Sequence, residues 1–224
     1  MNILYYIPVS EKTGQQTCDE LLKLVSKEKQ EQLKRFHFEI DRKLSLYSEL
    51  LVRLIACKKF GINLRELVFD REEFGKPYLI GHTDFYYNIS HTRNAVVVAI
   101  ADFPVGVDIE KIGRAEHGIE RRFFTSEERD YISAVVSETD KRFYEVWTKK
   151  EAYIKYLGKG LSMPLPSFNT LSFDIAVQIL TLQKDEYIVS VCGRDVKAGF
   201  EMVDLTEQEV EEMSFSEMYP FRSN

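Results

Sequence analysis

Val105-Gly106-Val107-Asp108-Ile109-Glu110 is the stretch on which the fold turns. With a side-chain period of two, Val105, Val107 and Ile109 share one face of a strand, and Asp108 and Glu110 share the other. An apolar face needs a core behind it. The opposite face carries two carboxylates whose Cα atoms stand about 7 Å apart from the strand rise. Like charges so placed repel. One reading is a solvated strand face. The other is a hard divalent cation held between them, because Mg²⁺ takes one or two carboxylates together with phosphate oxygens and keeps some of its waters.

Upstream of this strand, Phe85 to Ile89 and Ala95 to Ala101 read as a hairpin joined by Ser90-His91-Thr92-Arg93-Asn94. In Asn88-Ile89-Ser90-His91, at the strand end, a hydroxyl and an imidazole could both donate to phosphate oxygens. Asn2 to Ile7 reads as an opening strand, and Asp19 to Val25 and Ser26 to Phe36 as helical, with Ser26 as N-cap. Asp41 to Phe60 is predicted as a longer helix, because Leu44, Tyr47, Leu51, Leu54 and Ile55 recur at three and four and Gly61 follows as a stop.

Downstream, Thr125-Ser126-Glu127-Glu128 spells a capping box. A second long helix, Lys141 to Leu157, is expected to be capped by Asp140 and ended by Gly158. Its stripe Tyr144, Trp147, Glu151, Ile154 puts a third acid on the face that carries the tryptophan, where it should be paired, protonated or metal-bound. Glu151 and Lys155 are also an i,i+4 pair, which could be no more than a surface salt bridge. A Gly/Pro-punctuated loop, Gly158 to Ser167, leads to strand-like runs near Phe173, Tyr187 and Phe200. The element order predicts an α+β fold of two similar lobes, 1–104 and 105–224.

Composition narrows the classes of function. The apolar and charged fractions are those of an ordinary globular protein, and 224 residues can bury a core without staples. Cys18, Cys57 and Cys192 are scattered and odd in number, which suggests neither a disulfide framework nor a thiolate zinc site and fits a cytoplasmic setting. The opening residues lack a signal-peptide pattern, and the longest apolar run, Ala95 to Ala101, is too short to span a bilayer, so no membrane partner is expected. The net charge of -6 argues against a general nucleic-acid binder. It is uneven: positions 1–105 carry +1 and positions 106–224 carry -7, much of it from Glu201 onward. Within that acidic half, Lys141 to Lys159 holds six basic residues against Glu145 and Glu151, which suits an anionic ligand or partner. Walker, dinucleotide-binding, zinc-protease and nucleophile-elbow patterns are missing, so the nucleophile of any reaction is expected to come from the substrate.

Taken in order, Phe74-Gly75-Lys76-Pro77, Asn88-Ile89-Ser90-His91, Val105 to Glu110, Phe123-Phe124 and Trp147-Thr148-Lys149-Lys150-Glu151-Ala152-Tyr153-Ile154-Lys155 resemble the 4′-phosphopantetheinyl transferases, and among them the surfactin-synthetase-activating (Sfp-type) group. Leu50-Leu51-Val52-Arg53 and Gly158-Lys159-Gly160-Leu161-Ser162 fit as well, so the resemblance covers roughly residues 26–170. It implies a pseudo-twofold pair of α/β lobes with coenzyme A in the cleft between them. It also implies transfer of phosphopantetheine to a serine of an apo acyl or peptidyl carrier protein. By matching position, Asp108, Glu110 and Glu151 would hold Mg²⁺, or Mn²⁺ in its place. Ser90, His91 and Asp108 would contact the coenzyme's phosphates, and Gly75, Lys76 and Pro77 would line its adenine pocket. Lys155 would steady the pyrophosphate, Lys29 would meet the 3′-phosphate, and Glu151 with Lys155 would carry the catalysis. The two-lobed type further implies a monomer.

The chain departs from the family pattern at Gln32 and Leu44, which stand where basic residues are common; Arg42 and Lys43 are possible substitutes, and Ser45 is a further coenzyme contact. Carrier docking is expected on Phe123, Phe124 and the Gly158 to Pro166 loop, with core packing as the other reading of the phenylalanines. Two other functions stand beside this one: another magnesium-dependent transferase or hydrolase of a nucleotide pyrophosphate, and a binding module without chemistry.

Overall fold

A computed structural model describes residues 2–11, 15–64, 66–115, 118–172, 177–196 and 199–218. The first half runs β1 (Ile3–Pro8), α1 (Gln15–Leu21), α2 (Lys27–Leu33), α3 (Glu39–Phe60), β2 (Phe69–Arg71), β3 (Pro77–Leu79), β4 (Tyr86–Thr92) and β5 (Ala95–Ala101). The second runs β6 (Val105–Lys111), α4 (Ile119–Phe123), α5 (Ser126–Ser133), α6 (Thr139–Leu157), β7 (Gln178–Lys184), β8 (Tyr187–Gly193), β9 (Glu201–Asp204) and α7 (Glu207–Met218). The fold is α+β, as expected.

Two sheets are stacked, one of order β4-β5-β1-β9 and one of order β6-β8-β7, and β2 and β3 form a separate small hairpin. The alternation in β6 holds: Val105, Val107 and Ile109 join Val189 and Val191 of β8 in a core shared with Leu4, Val97 and Ala99 of the first sheet. The other face of the first sheet, with Ile7, Val96 and Val98, packs on Leu46, Leu50 and Leu54 of α3. The acidic face of β6 is covered by α6. The layers are therefore helix, sheet, sheet, helix. β5 lies between two apolar cores and is all apolar, whereas β6 has one apolar face and turns Gly106, Asp108 and Glu110 toward α6.

Several local expectations shift. Serine 26 does cap α2, accepting from Lys29 N at 3.2 Å, and Thr125 and Glu128 close the capping box of α5. Ser90 and His91 sit within β4, because the strand runs on to a two-residue turn. Asp140 lies in the first turn of α6 and accepts from Ala115 N at 2.9 Å, so it ties down a neighbouring segment and does not cap the helix. The buried residues of α6 are Phe143, Val146, Thr148, Lys150, Ala152 and Ile154; Trp147 and Glu151 are half-buried beside them. Tyr187 begins β8 and Phe200 directly precedes β9, whereas the run expected near Phe173 lies outside the described residues. The segment from Glu201 leaves the second half: β9 pairs parallel with β1, and α7 packs on α3 with Val210 in the first core.

Gly106 sets the distance between β6 and α6. It shares the face of Asp108 and Glu110, and a Cβ built on it would fall 2.1 Å from Ala152 O and 2.3 Å from Tyr156 N. Both obstacles are helix backbone, which cannot swing aside. Gly106→Ala should therefore destabilise the protein by about 3 kcal/mol, read as a lower urea midpoint with an unchanged slope.

Candidate functional site

β4 and β6 are edge strands of different sheets, and side chains join them. Asn88 Oδ1 accepts from Val107 N at 2.8 Å, Ser90 Oγ donates to Asp108 Oδ1 at 2.8 Å, and Thr92 Oγ1 donates to Glu110 Oε2 at 2.8 Å. Asn88, Ser90 and Thr92, which share one face of β4, thus each make a rung to β6, as the strand period allows. Lys155 of α6 closes the arrangement from the helix side, its Nζ 2.7 Å from Asp108 Oδ1 and 2.8 Å from Ser90 Oγ.

Asp108 is 4% exposed, and its second carboxylate oxygen, Oδ2, is buried without a hydrogen-bond partner. An orphaned carboxylate oxygen is costly to bury. Its neighbours respond to it. The pKa of Glu110 is pushed up to about 6, by burial first and then by the charge of Asp108, while its bond from Thr92 works the other way. Glu151 is raised by burial and then by Asp108, with Lys155 opposing. Among the described residues no three His, Cys, Asp or Glu side chains stand together as a ready-made metal cage. What is present is an orphan oxygen near two acids that resist ionisation; a divalent cation would relieve both, and would have to draw the three carboxylates together.

Beside this cluster opens a cleft of about 770 Å³. Lys29 from α2, Ser45 and Arg53 from α3, Arg71 and Pro77 from the β2–β3 hairpin, Ser90 and His91 from β4, and Lys155 all line it. A second cavity of about 270 Å³ adjoins it, sharing Pro77, Ile89 and Lys155, and is walled by Phe74, Gly75, Lys76 and Glu151. Withdrawal from water shows in the titration of these bases. His91 is held below its ordinary pKa by desolvation in the cleft and then by Lys155 and Lys29, and burial lowers Lys29.

The structure gathers most of the residues expected from the sequence. Lys29, Ser45, Pro77, Ser90, His91 and Lys155 meet at the larger cleft, Gly75, Lys76 and Glu151 at the smaller, and Asp108 and Glu110 lie along the β4–β6 junction. Arg42 is not among the lining residues; it pairs with Asp19 of α1 at 3.0 Å. Gln32 does line the cleft, and Leu44 is buried in the core. Phe124 is 1% exposed, packed on Phe143 and Trp147, so it belongs to the core and not to a docking surface. Phe123 is half-buried against Trp147 with Arg122 over its ring.

Three features escaped the sequence reading. Arg53 is buried on α3, held by Glu49 at 2.8 Å and stacked 4.8 Å over Phe69; a guanidinium on a helix this apolar was the available signal. Arg71 lines the cleft from a hairpin too short to show periodicity, and donates to Gly75 O at 2.9 Å. Lys150, met in the sequence only within the Trp147 to Lys155 motif, is fully buried. Its ammonium meets Glu128 Oε2, Leu165 O and Phe168 O, each at 2.8 Å, and Glu128 also accepts from Thr170 N and Oγ1. The pair fixes the segment after α6 against α5.

Comparison with known proteins gives concordant results. A family model described as "4'-phosphopantetheinyl transferase superfamily" matches residues 104–210, and one described as "4'-phosphopantetheinyl transferase, N-terminal" matches residues 12–102. The chain is 36% identical over 167 residues to the 4'-phosphopantetheinyl transferase ffp of Bacillus subtilis, covering 74% of this chain and 75% of that protein. It is 33% identical over 167 residues to the 4'-phosphopantetheinyl transferase Sfp of Bacillus subtilis (strain 168), with the same shares. It is 30% identical over 167 residues to the human L-aminoadipate-semialdehyde dehydrogenase-phosphopantetheinyl transferase, covering 68% of this chain and 53% of that protein. No described helix is long and apolar enough to cross a membrane.

Removing one partner of the Lys150–Glu128 pair should cost far more than breaking an exposed pair. Glu128→Ala strands a buried ammonium and should cost about 3–5 kcal/mol in chemical denaturation. Lys184→Ala, which breaks a surface pair with Asp204, should cost less than about 1 kcal/mol.

Proposed function

The chain belongs to the 4′-phosphopantetheinyl transferase superfamily, and from that premise we infer that it moves phosphopantetheine from coenzyme A to a serine of an apo acyl or peptidyl carrier protein, releasing adenosine 3′,5′-bisphosphate. The observation that carries this reading to the residues is the Ser90–Asp108–Lys155 cluster, with its orphan carboxylate oxygen, at the lip of a cation-lined cleft. The cleft has the charge to take a pyrophosphate and a 3′-phosphate. Lys29, Arg71 and Lys155 supply it, and His91 can add a neutral N–H donor, which offsets the glutamine at position 32. Gly75 and Pro77 serve as wall for the adenine.

Asp108, Glu110 and Glu151 would hold Mg²⁺, or Mn²⁺, and the ion would supply Lewis-acid stabilisation of charge on the pyrophosphate. The protein's own groups do the rest. Lys155 spends two of its three N–H bonds on Ser90 and Asp108, leaving the third for a phosphate oxygen. Glu151 accepts the proton of the carrier serine hydroxyl, directly or through a water. The serine oxygen bonds to the β-phosphorus in line, and the bond to the leaving phosphate breaks with its electron pair going to adenosine 3′,5′-bisphosphate.

The same reading makes the carrier a transient, acidic partner that docks on Phe123 and the loop bearing Lys159, and the enzyme a cytoplasmic monomer. Three buried, unpaired cysteines are consistent with a reducing compartment.

Mass spectrometry of an apo carrier incubated with coenzyme A, Mg²⁺ and this protein should show the added arm. Glu151→Gln should slow that transfer on the order of a hundredfold, and near-normal transfer would remove Glu151 from the chemistry. A pH test follows from the carboxylates. Because the folded pKa of Glu110, about 6, exceeds its ordinary 4.5, the metal-free fold is stabilised below the lower value and loses that contribution as pH rises through the upper. Mg²⁺ competes with the same proton, so it should raise the melting temperature well above pH 6 and have little effect well below it. An equal gain at both would contradict the assigned ligands.

A further inference from the structure

Lys76 matches a family position implied to line the adenine pocket, yet its ammonium points elsewhere. Lys76 Nζ donates to Tyr156 O at 3.0 Å and to Val105 O at 3.2 Å. Tyr156 belongs to the last turn of α6, whose carbonyls have no partner within the helix, and Val105 opens β6. A cation at the C-terminal end of a helix also meets the negative end of its dipole. Both carbonyls flank the place where Gly106 lets β6 and α6 touch through their backbones. The lysine stem is packed as well: a Cβ on Gly158, the C-cap of α6, would lie 3.2 Å from Lys76 Cδ. Burial lowers the pKa of Lys76, as it does for an ammonium withdrawn from water.

Lys76 is carried by the tip of the β2–β3 hairpin, which closes through Glu72 N to Lys76 O at 2.8 Å and Gly75 N to Glu72 O at 2.8 Å. That hairpin is a wall of both cavities, through Arg71 and Pro77 in the larger and Gly75 and Pro77 in the smaller. The opposite wall is α6, with Glu151 and Lys155. We propose that Lys76 is a positioning residue, a latch that pins the hairpin tip to the α6–β6 junction and so fixes the width of the cleft, and that its ammonium does not bind the ligand. Its effect on catalysis rests on the functional reading above; the latch itself is a property of the free protein.

The test uses Lys76→Met, which keeps the stem and removes the charge, and Lys76→Arg, which keeps a donor. Amide hydrogen exchange without coenzyme A should show lost protection in residues 69–79 and 155–158 of Lys76→Met and retained protection in Lys76→Arg. In turnover, Lys76→Met should lower kcat roughly 10–100-fold, more than it raises KM for coenzyme A, because a wall displaced by an ångström misaligns the reacting groups. The salt dependence of coenzyme A binding should stay as in the parent, since no phosphate contact is lost. Unchanged exchange in the free protein, together with weaker and less salt-sensitive coenzyme binding, would overturn the proposal and make Lys76 a ligand contact. Should Lys76→Met not fold, nitrogen-15 NMR of the parent decides: slowly exchanging Lys76 ammonium protons before any ligand is added support the latch, and freely exchanging ones refute it. The exchange and NMR arms need no substrate, so they judge the latch even if the protein acts on a different nucleotide.

Discussion

The arrangement depends on two edge strands that meet without forming a ladder. Extending one sheet across β4 and β6 would have satisfied both edges and left no room for a site. Here the edges are joined by side chains, Asn88, Ser90 and Thr92 reaching Val107, Asp108 and Glu110 in turn. Each rung blunts an exposed edge and orients a functional group at once. The carboxylates are fixed by the same bonds that join the two sheets, so structural and chemical demands fall on one set of residues.

Around that junction, the helix carrying the remaining groups is set by steric and polar constraints acting from different sides. A missing side chain at Gly106 lets α6 approach β6 to backbone contact. A buried ion pair, Lys150 with Glu128, holds the chain beyond α6 in place and uses every donor the ammonium has. A buried pair of this kind adds little net stability, since desolvation offsets most of the attraction, but it leaves one geometry in which all partners are satisfied. The registry of Glu151 and Lys155 against Asp108 follows from that geometry.

Much of this was legible from residue order. The alternation at Val105 to Glu110, the Thr125 capping box and the glycine stops at Gly61 and Gly158 are local patterns, and each reappears in the fold. The positions gathered at the cleft were legible mainly through family resemblance. What stayed hidden is non-local. Lys150 looks like a surface lysine until Glu128 and the carbonyls of Leu165 and Phe168 are brought around it. Arg42 faces Asp19, a contact across 23 positions that no periodicity encodes. Phe124 and Phe123 are adjacent in sequence, and only packing separates the buried ring from the half-exposed one.

The pairing of β9 with β1 has a consequence for biosynthesis. Ile3 to Tyr6 align with Glu201 to Asp204, and α7 then covers α3, with Lys43 and Tyr47 meeting Glu207 and Glu211. A nascent chain therefore emerges from the ribosome with its first sheet short of a strand and part of its core open to water until β9 and α7 have been made. Contacts between such distant positions raise contact order and slow the final step. Vectorial folding of this sheet is thereby deferred until β9 and α7 return to β1 and α3.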